Sequence, residues 1–226
     1  MCIENTPPIL EFDSEREAFI EPGKVIRRRD VPEYCVICFF REVIDKIVAE
    51  HQARMVVENR WENGPNPIYE IEHAGQRLAF FHPGIGGPLA AGLLEEAIAY
   101  GCRKFIVCGG CGVLEKGLGV GHLVVVSAAL RDEGTSYHYI PAGREIAAHP
   151  QGVAALEAAL TRQGVPYRVG KTWTIDAPYR ETRGKIARRL GEGCLTVEME
   201  AASLMAVAQF RQVVLGQVVY GGDDLS

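Results

Sequence analysis

The sequence predicts an α/β fold: a mixed, mostly parallel central sheet with helices on both faces. Three observations predict it. Apolar runs of strand length, at 34–40, 104–108, 122–129, 167–174 and 213–220, alternate with helix-period segments after a hairpin-rich first third. The run at 213–220 is apolar at nearly every position, as a strand covered on both faces requires. The 226 residues are 47% hydrophobic and 23% charged, enough for one large core. We expect an N-terminal arm over 1–30 and a single domain over 31–226. A sheet strand seldom ends such a fold, and the chain stops two residues after Asp224, so a closing helix is expected to be missing at the C-terminus.

Each element has its own reason. Residues 1–30 are rich in charge and proline, and Arg27, Arg28 and Arg29 read as a solvated turn. A strand at 34–40 leads into a helix at 42–51, where Val43, Ile44, Ile47 and Val48 fall at helical spacing. Residues 59–67 read as a turn-rich loop, and 68–72 and 77–81 as a strand pair around Ala74 and Gly75. Gly84, Gly86 and Gly87 precede a helix at 89–100, and Pro88 suits a first helical turn. Glycines there permit a tight turn or an anion held on free amides. The strand at 104–108 runs into a loop of Gly109, Gly110, Cys111 and Gly112. Then follow a strand (122–129), a polar loop (132–139), a helix (150–163), a strand (167–174) and a basic helix (182–190). In 194–226 a short strand carries Glu198 and Glu200, which period-two geometry points to one face. An apolar helix, a strand and then Asp223 and Asp224 complete the chain, the aspartates at a strand end of the kind that binds ligands.

Composition narrows the function. A net charge of −5 argues against a nucleic-acid surface. No run reaches the length of a membrane span, and residues 1–16 are too polar for a signal peptide. The seven cysteines are odd in number and lie mostly in apolar segments, which suits reduced thiols in a cytoplasm. Cys35, Cys38, Cys108 and Cys111 have zinc-like or redox-like spacing, weighed against buried thiols beside a glycine turn. A strand through Cys35 and Cys38 cannot easily wrap a tetrahedral ion, and His82, His122 and His138 do not cluster with carboxylates, so no metal is expected.

The ordered motifs Gly84-Ile-Gly-Gly-Pro88, Phe105-Ile-x-x-Gly-x-Cys-Gly112, Gly134-Thr-Ser136, Asp176-Ala-Pro-Tyr179, Val197-Glu-Met-Glu-Ala-Ala202 and Asp223 resemble the nucleoside phosphorylase family. The resemblance is to the uridine and hexameric purine type, and the related methylthioadenosine/adenosylhomocysteine nucleosidases share a similar glutamate motif. It covers residues 34–226 and implies a partly barrel-like sheet with the site at strand ends. It implies that Glu200 holds the ribose hydroxyls, that Met199 packs against the sugar, and that Glu198 is a less certain partner. It places Cys111, Gly112, Pro178 and Tyr179 near the base, Gly86 and Gly110 near an anion, and Asp223 as the acid that protonates a purine at N7. A small nucleoside substrate, phosphate as co-substrate without other cofactor, and a homo-oligomer (a dimer or trimer of dimers) go with it, with no membrane or nucleic-acid partner.

The chemistry asks for these residue types independently. Breaking an N-ribosidic bond builds positive charge on the sugar and negative charge on the base. A general acid at the base contributes about 10²–10⁴-fold, and a carboxylate at the sugar favours the cationic transition state. The chain departs from the family in its anion half. Val107 and Gly110 stand where the family has a phosphate-binding arginine and a hydroxyl residue, and the segment from Tyr34 to Arg41 lacks the family's glycine phosphate loop. Water as nucleophile is therefore the alternative to phosphate, and a non-catalytic nucleoside-binding relative is a third reading.

Overall fold

The computed structural model describes residues 6–226. Its centre is β5 (Lys104–Val113), flanked in parallel by β1 (Tyr34–Cys38) and β10 (Val214–Asp224). Beyond β1 lie β4 (Gln76–Phe81), parallel to it, then β3 (Gly64–His73) and β2 (Arg54–Trp61), both antiparallel. Beyond β10 lie β6 (Leu123–Asp132), antiparallel, then β8 (Tyr167–Ile175) and β9 (Cys194–Glu198), each parallel to its predecessor. β9 returns antiparallel to β5, so β5, β10, β6, β8 and β9 close into a barrel from which the other four strands extend as a wing. A short β7 (Glu145–Ala147) pairs with β6. The sheet is mixed and barrel-like, as expected, with parallel and antiparallel pairings equally represented.

Six helices cover it: α1 (Pro22–Val25), α2 (Arg41–His51), α3 (Gly87–Tyr100), α4 (Pro150–Arg162), α5 (Arg183–Gly191) and α6 (Ala201–Arg211). Every residue of α6 from Ala201 to Ala208 is buried, which explains its lack of a polar face. Its small residues let α3 approach closely: a Cβ on Gly87 would lie 2.4 Å from Ser203 Oγ. α4 crosses β10 at Gly152 and Gly216, where the two backbones touch.

Three expectations are corrected. Residues 59–67 form the β2–β3 hairpin rather than a loop, paired from Arg54↔Glu70 to Trp61↔Gly64. Pro65 and Pro67 are tolerated because β4 joins β3 only from Ile68 onward, leaving that part of β3 with one neighbour. Gly109 to Gly112 are strand, not loop, because β10 pairs alongside them through Val113. Asp223 and Asp224 belong to β10 itself, shifted in register by a bulge at Gly222.

The arm from residue 6 onward folds back on the domain instead of extending from it; residues 1–5 lie outside the described residues. Arg211 joins Glu95 of α3 (2.7 Å) to Glu21 of the arm (2.5 Å). Arg16 lies over the Phe210 ring at 4.6 Å and donates to its carbonyl. A cavity of about 800 Å³ lies between arm, α3 and α6, away from the carboxylates described below.

A Cβ on Gly152 would meet the Leu215 carbonyl oxygen at 2.6 Å, and backbone cannot yield there. Gly152→Ala is expected to destabilise the protein by about 1–3 kcal/mol in urea unfolding; unchanged stability would show that α4 does not seat this closely.

Candidate active site

The site forms where β5 changes neighbours. One edge of β5 is paired with β10 throughout. The other is paired with β1 up to Cys108 and with β9 only from Gly112. Gly109, Gly110 and Cys111 cross the gap. There β1 departs and β9 arrives from the opposite direction, bringing its last residue, Glu198, beside Cys111.

Glu198 is 7% exposed and accepts three hydrogen bonds that hold the turn into α6. It takes the N–H groups of Glu200 (2.8 Å) and Ala201 (2.6 Å) and the Thr174 hydroxyl (2.7 Å), while Thr174 Oγ1 accepts from Ala202 N–H (3.0 Å). These are the orphan amides of the helix N-terminus. Burial, then the neighbouring Glu200 carboxylate, raises the Glu198 proton affinity to about 7. Among the described residues Glu198 has no cationic partner. Its oxygens are taken, so Glu198 is a positioning residue rather than the expected ribose ligand.

Glu200 leaves the strand and does not share a face with Glu198. It sits at the α6 N-cap, 7% exposed, and its Oε1 accepts from the Gly86 amide at 2.7 Å. Burial raises its proton affinity, offset by bonds from Gly86 and Met199 amides. A carboxylate offers about four acceptor positions, so two backbone donors leave room for a pair of hydroxyls. Gly86 was expected to bind an anion, but its amide is occupied by Glu200. Its φ of 86° is the left-handed conformation that lets the amide turn inward.

A cleft of about 670 Å³ opens over this turn. Met199, Glu200, Gly110, Cys111, Gly112, Pro178 and Asp223 all line it, so most of the predicted residues converge. Cys111 donates to the Tyr220 carbonyl at 3.2 Å, and burial with the Glu198 charge pushes its thiol up to about 12, so it shapes the wall as a neutral group. Gly112 is glycine because a Cβ would meet Leu225 at 2.7 Å and Val197 at 2.9 Å. Tyr179 is corrected: it is 99% exposed and outside the lining, because the 3-10 turn Pro178–Arg180 points it to solvent.

The same turn brings in Glu181, which the sequence reading missed. Its position just ahead of a helix reads as an ordinary first-turn acid; only the turn aims it into the cleft. Burial raises its proton affinity, and the Asp223 charge raises it further. The lining thus holds five carboxylates, Glu181, Glu198, Glu200, Asp223 and Asp224, and no Lys, Arg or His among the described residues.

The anion half differs from the sugar half. Val107 is fully buried beside Ile37. Phe39 packs on Gly109, where an added Cβ would meet its ring at 3.0 Å, and Phe40 meets Tyr220 at 5.4 Å between ring centroids. His82 lies 6.2 Å from Phe39, its proton affinity lowered by burial and by the Arg41 charge. The motif at 134–136 packs on α6: the Ser136 amide and the Ser203 hydroxyl both donate to buried Glu133, at 2.9 and 2.7 Å. No group of three or more potential metal ligands is found among the described residues.

A family model described as the Phosphorylase superfamily matches residues 33–224. Guanosine phosphorylase of Halorubrum lacusprofundi is 28% identical over 199 residues, 88% of this chain and 81% of that protein. Uridine phosphorylase of Escherichia coli is 26% identical over 66% of this chain, which spans 65% of that enzyme's length. The crystal structure of AMP nucleosidase from Bacteroides thetaiotaomicron superposes with a TM-score of 0.73 at 23% identity, covering 85% of this chain and 82% of that one. The chain belongs to the phosphorylase superfamily. It is an enzyme of the pentosyltransferase and N-ribosyl hydrolase class.

Because the folded protein holds a proton on the Glu198–Glu200 pair up to about pH 7, it binds more protons than the unfolded chain between that pH and the ordinary glutamate range. Stability is expected to be full below that range, to fall as pH rises through about 7, and to level off above. Glu198→Gln should flatten the slope. A wild-type unfolding free energy independent of pH from 5 to 8 would contradict the assignment.

Proposed function

We propose that the protein cleaves the N-ribosidic bond of a purine nucleoside. The observation that carries this is a cleft whose charged lining groups are all carboxylates, with one of them, Glu200, held toward it by backbone donors. Glu200 accepts the ribose hydroxyls and Met199 packs against the sugar. The negative lining favours the sugar cation of the transition state. Asp223 delivers a proton to the departing base at N7. Glu181 accepts from base-edge donors, which suits guanine, whose N1–H and 2-amino groups form a pair of donors, better than adenine. The resemblance to a guanosine phosphorylase supports this choice. The family's usual nucleophile is phosphate, with Gly110 at the anion side of the cleft. The protein is further proposed to act as a homo-oligomer in the cytoplasm, a reading supported by the family and by six free cysteines among the described residues; no helix among these is long and apolar enough to cross a membrane.

Water is the second reading for the nucleophile, favoured by Phe39 against Gly109 and by the absence of a cation in the lining. A phosphate dianion there lacks the charge-assisted contacts that normally hold it. Incubation of guanosine with and without phosphate separates the two. Ribose 1-phosphate as product establishes phosphorolysis, and base release at the same rate without phosphate establishes hydrolysis.

Asp223→Asn is expected to lower kcat by about 10²–10⁴-fold; a parent-like rate would remove Asp223 as the acid. Glu200→Ala should cost about 1.5–3 kcal/mol in kcat/KM through lost charged hydrogen bonds. Glu181→Ala should narrow the ratio of kcat/KM for guanosine over adenosine, and an unchanged ratio would show that Glu181 does not read the base.

A further inference from the structure

Two pairs of cysteines lie side by side in this fold, and neither has a part in the ribosyl chemistry. Cys35 lies beside Cys102, and Cys38 beside Cys108, close enough for each thiol to shift its neighbour's proton affinity. Cys35 and Cys102 are at most 1% exposed, sealed in the main core. The second pair lies two residues short of cleft-lining Gly110. Cys38, the last residue of β1 and 5% exposed, is the register partner of Cys108 in the middle of β5, and Cys108 is only half-buried. The next residues are Phe39 and Gly109, which pack on each other beside cleft-lining Gly110.

We propose that Cys38 and Cys108 are a reversible oxidation site, closing to a disulfide when the protein meets a small peroxide. Register partners on neighbouring strands lie about 4.7–4.9 Å apart, within the Cα span of about 4.4–6.8 Å that a disulfide requires. Side chains of register partners project from the same face of the sheet. Sγ of Cys108 also lies 3.6 Å from the Ile37 carbonyl, and Sγ of Cys38 lies 3.9 Å from that of Phe40, so both thiols are held at the β1 end. The neighbouring Cys108 lowers the Cys38 proton affinity, which makes Cys38 the more readily ionised thiol of the two.

The Cys38 thiolate attacks one peroxide oxygen. The O–O bond breaks, and the departing hydroxide takes a proton to become water. The resulting sulfenic acid is attacked by Cys108 sulfur, the S–O bond breaks, and the oxygen leaves as water with the Cys108 proton. Two thiols lose two electrons in all, and one peroxide becomes two waters. The cross-link would tie β1 to β5 at the edge of the gap that forms the cleft.

The test is peptide mapping of the folded, reduced protein after hydrogen peroxide, without reductant during digestion, together with thiol counting in denaturant. Expected is a loss of two of the seven thiols, one cross-linked peptide pair containing Cys38 and Cys108, and recovery of both thiols with dithiothreitol. Cys108→Ser should stop at a trappable sulfenic acid on Cys38. A cross-link joining other cysteines, oxidation of Cys38 beyond sulfenic acid without a cross-link, or no loss of thiols would each overturn the proposal. If a serine variant does not fold, the wild-type peptide map alone decides.

Discussion

The site depends on one buried carboxylate. Glu198 ends β9 and bonds the first amides of α6, so strand and helix meet in a fixed turn. A buried carboxylate is costly unless its acceptors are satisfied. Here the helix N-terminus and the Thr174 hydroxyl provide the satisfaction, and the positive end of the helix dipole adds to it. The same turn fixes Glu200 at the N-cap, where the Gly86 amide reaches it from the α3 entrance. The placement of Glu200 in the cleft therefore rests on bonds made by Glu198.

The second condition is the break in pairing along β5. A strand that kept one neighbour on each edge would leave no opening. Because β1 stops at Cys108 and β9 begins at Gly112, three residues are free of a partner on that edge. Two are glycines and the third points its sulfur at Tyr220, so the gap is not refilled by side chains of its own. β10, continuous on the other edge, carries Asp223 and Asp224 to the same place after its bulge. Asp223 and Glu200 thus reach the cleft from separate elements, one on β10 and the other at the α6 N-cap.

Charge divides the cleft from its surroundings. Five carboxylates line it, while the Arg41 charge acts on His82, outside the lining. That arrangement matches a reaction whose transition state is a cation. It matches a dianionic nucleophile poorly unless a cation is supplied from outside the lining. The aromatic pair Phe39 and Phe40 occupies the strand end where the related enzymes keep a glycine loop, which is where this chain has diverged.

The sequence by itself determined the alternation of strands and helices, the superfamily, and Glu200, Met199, Cys111, Gly112 and Asp223 as residues of one place. Those are local signals: apolar period, glycine before a helix, and a motif of unusual composition. It could not tell strand from loop at Gly109 to Gly112, since its glycines lack side chains, and Gly109 and Gly110 are held in the sheet only by β10. Nor could it divide the two glutamates. Period two put them on one face, but the chain turns into α6 between them, and only that turn made Glu198 a cap and Glu200 a ligand. Gly86 lost its free amide, Tyr179 its place at the base, and Glu181 gained one, each through contacts with residues distant in sequence. The tertiary structure decided these because donors, burial and neighbouring charge are properties of where the chain returns, which no local pattern records.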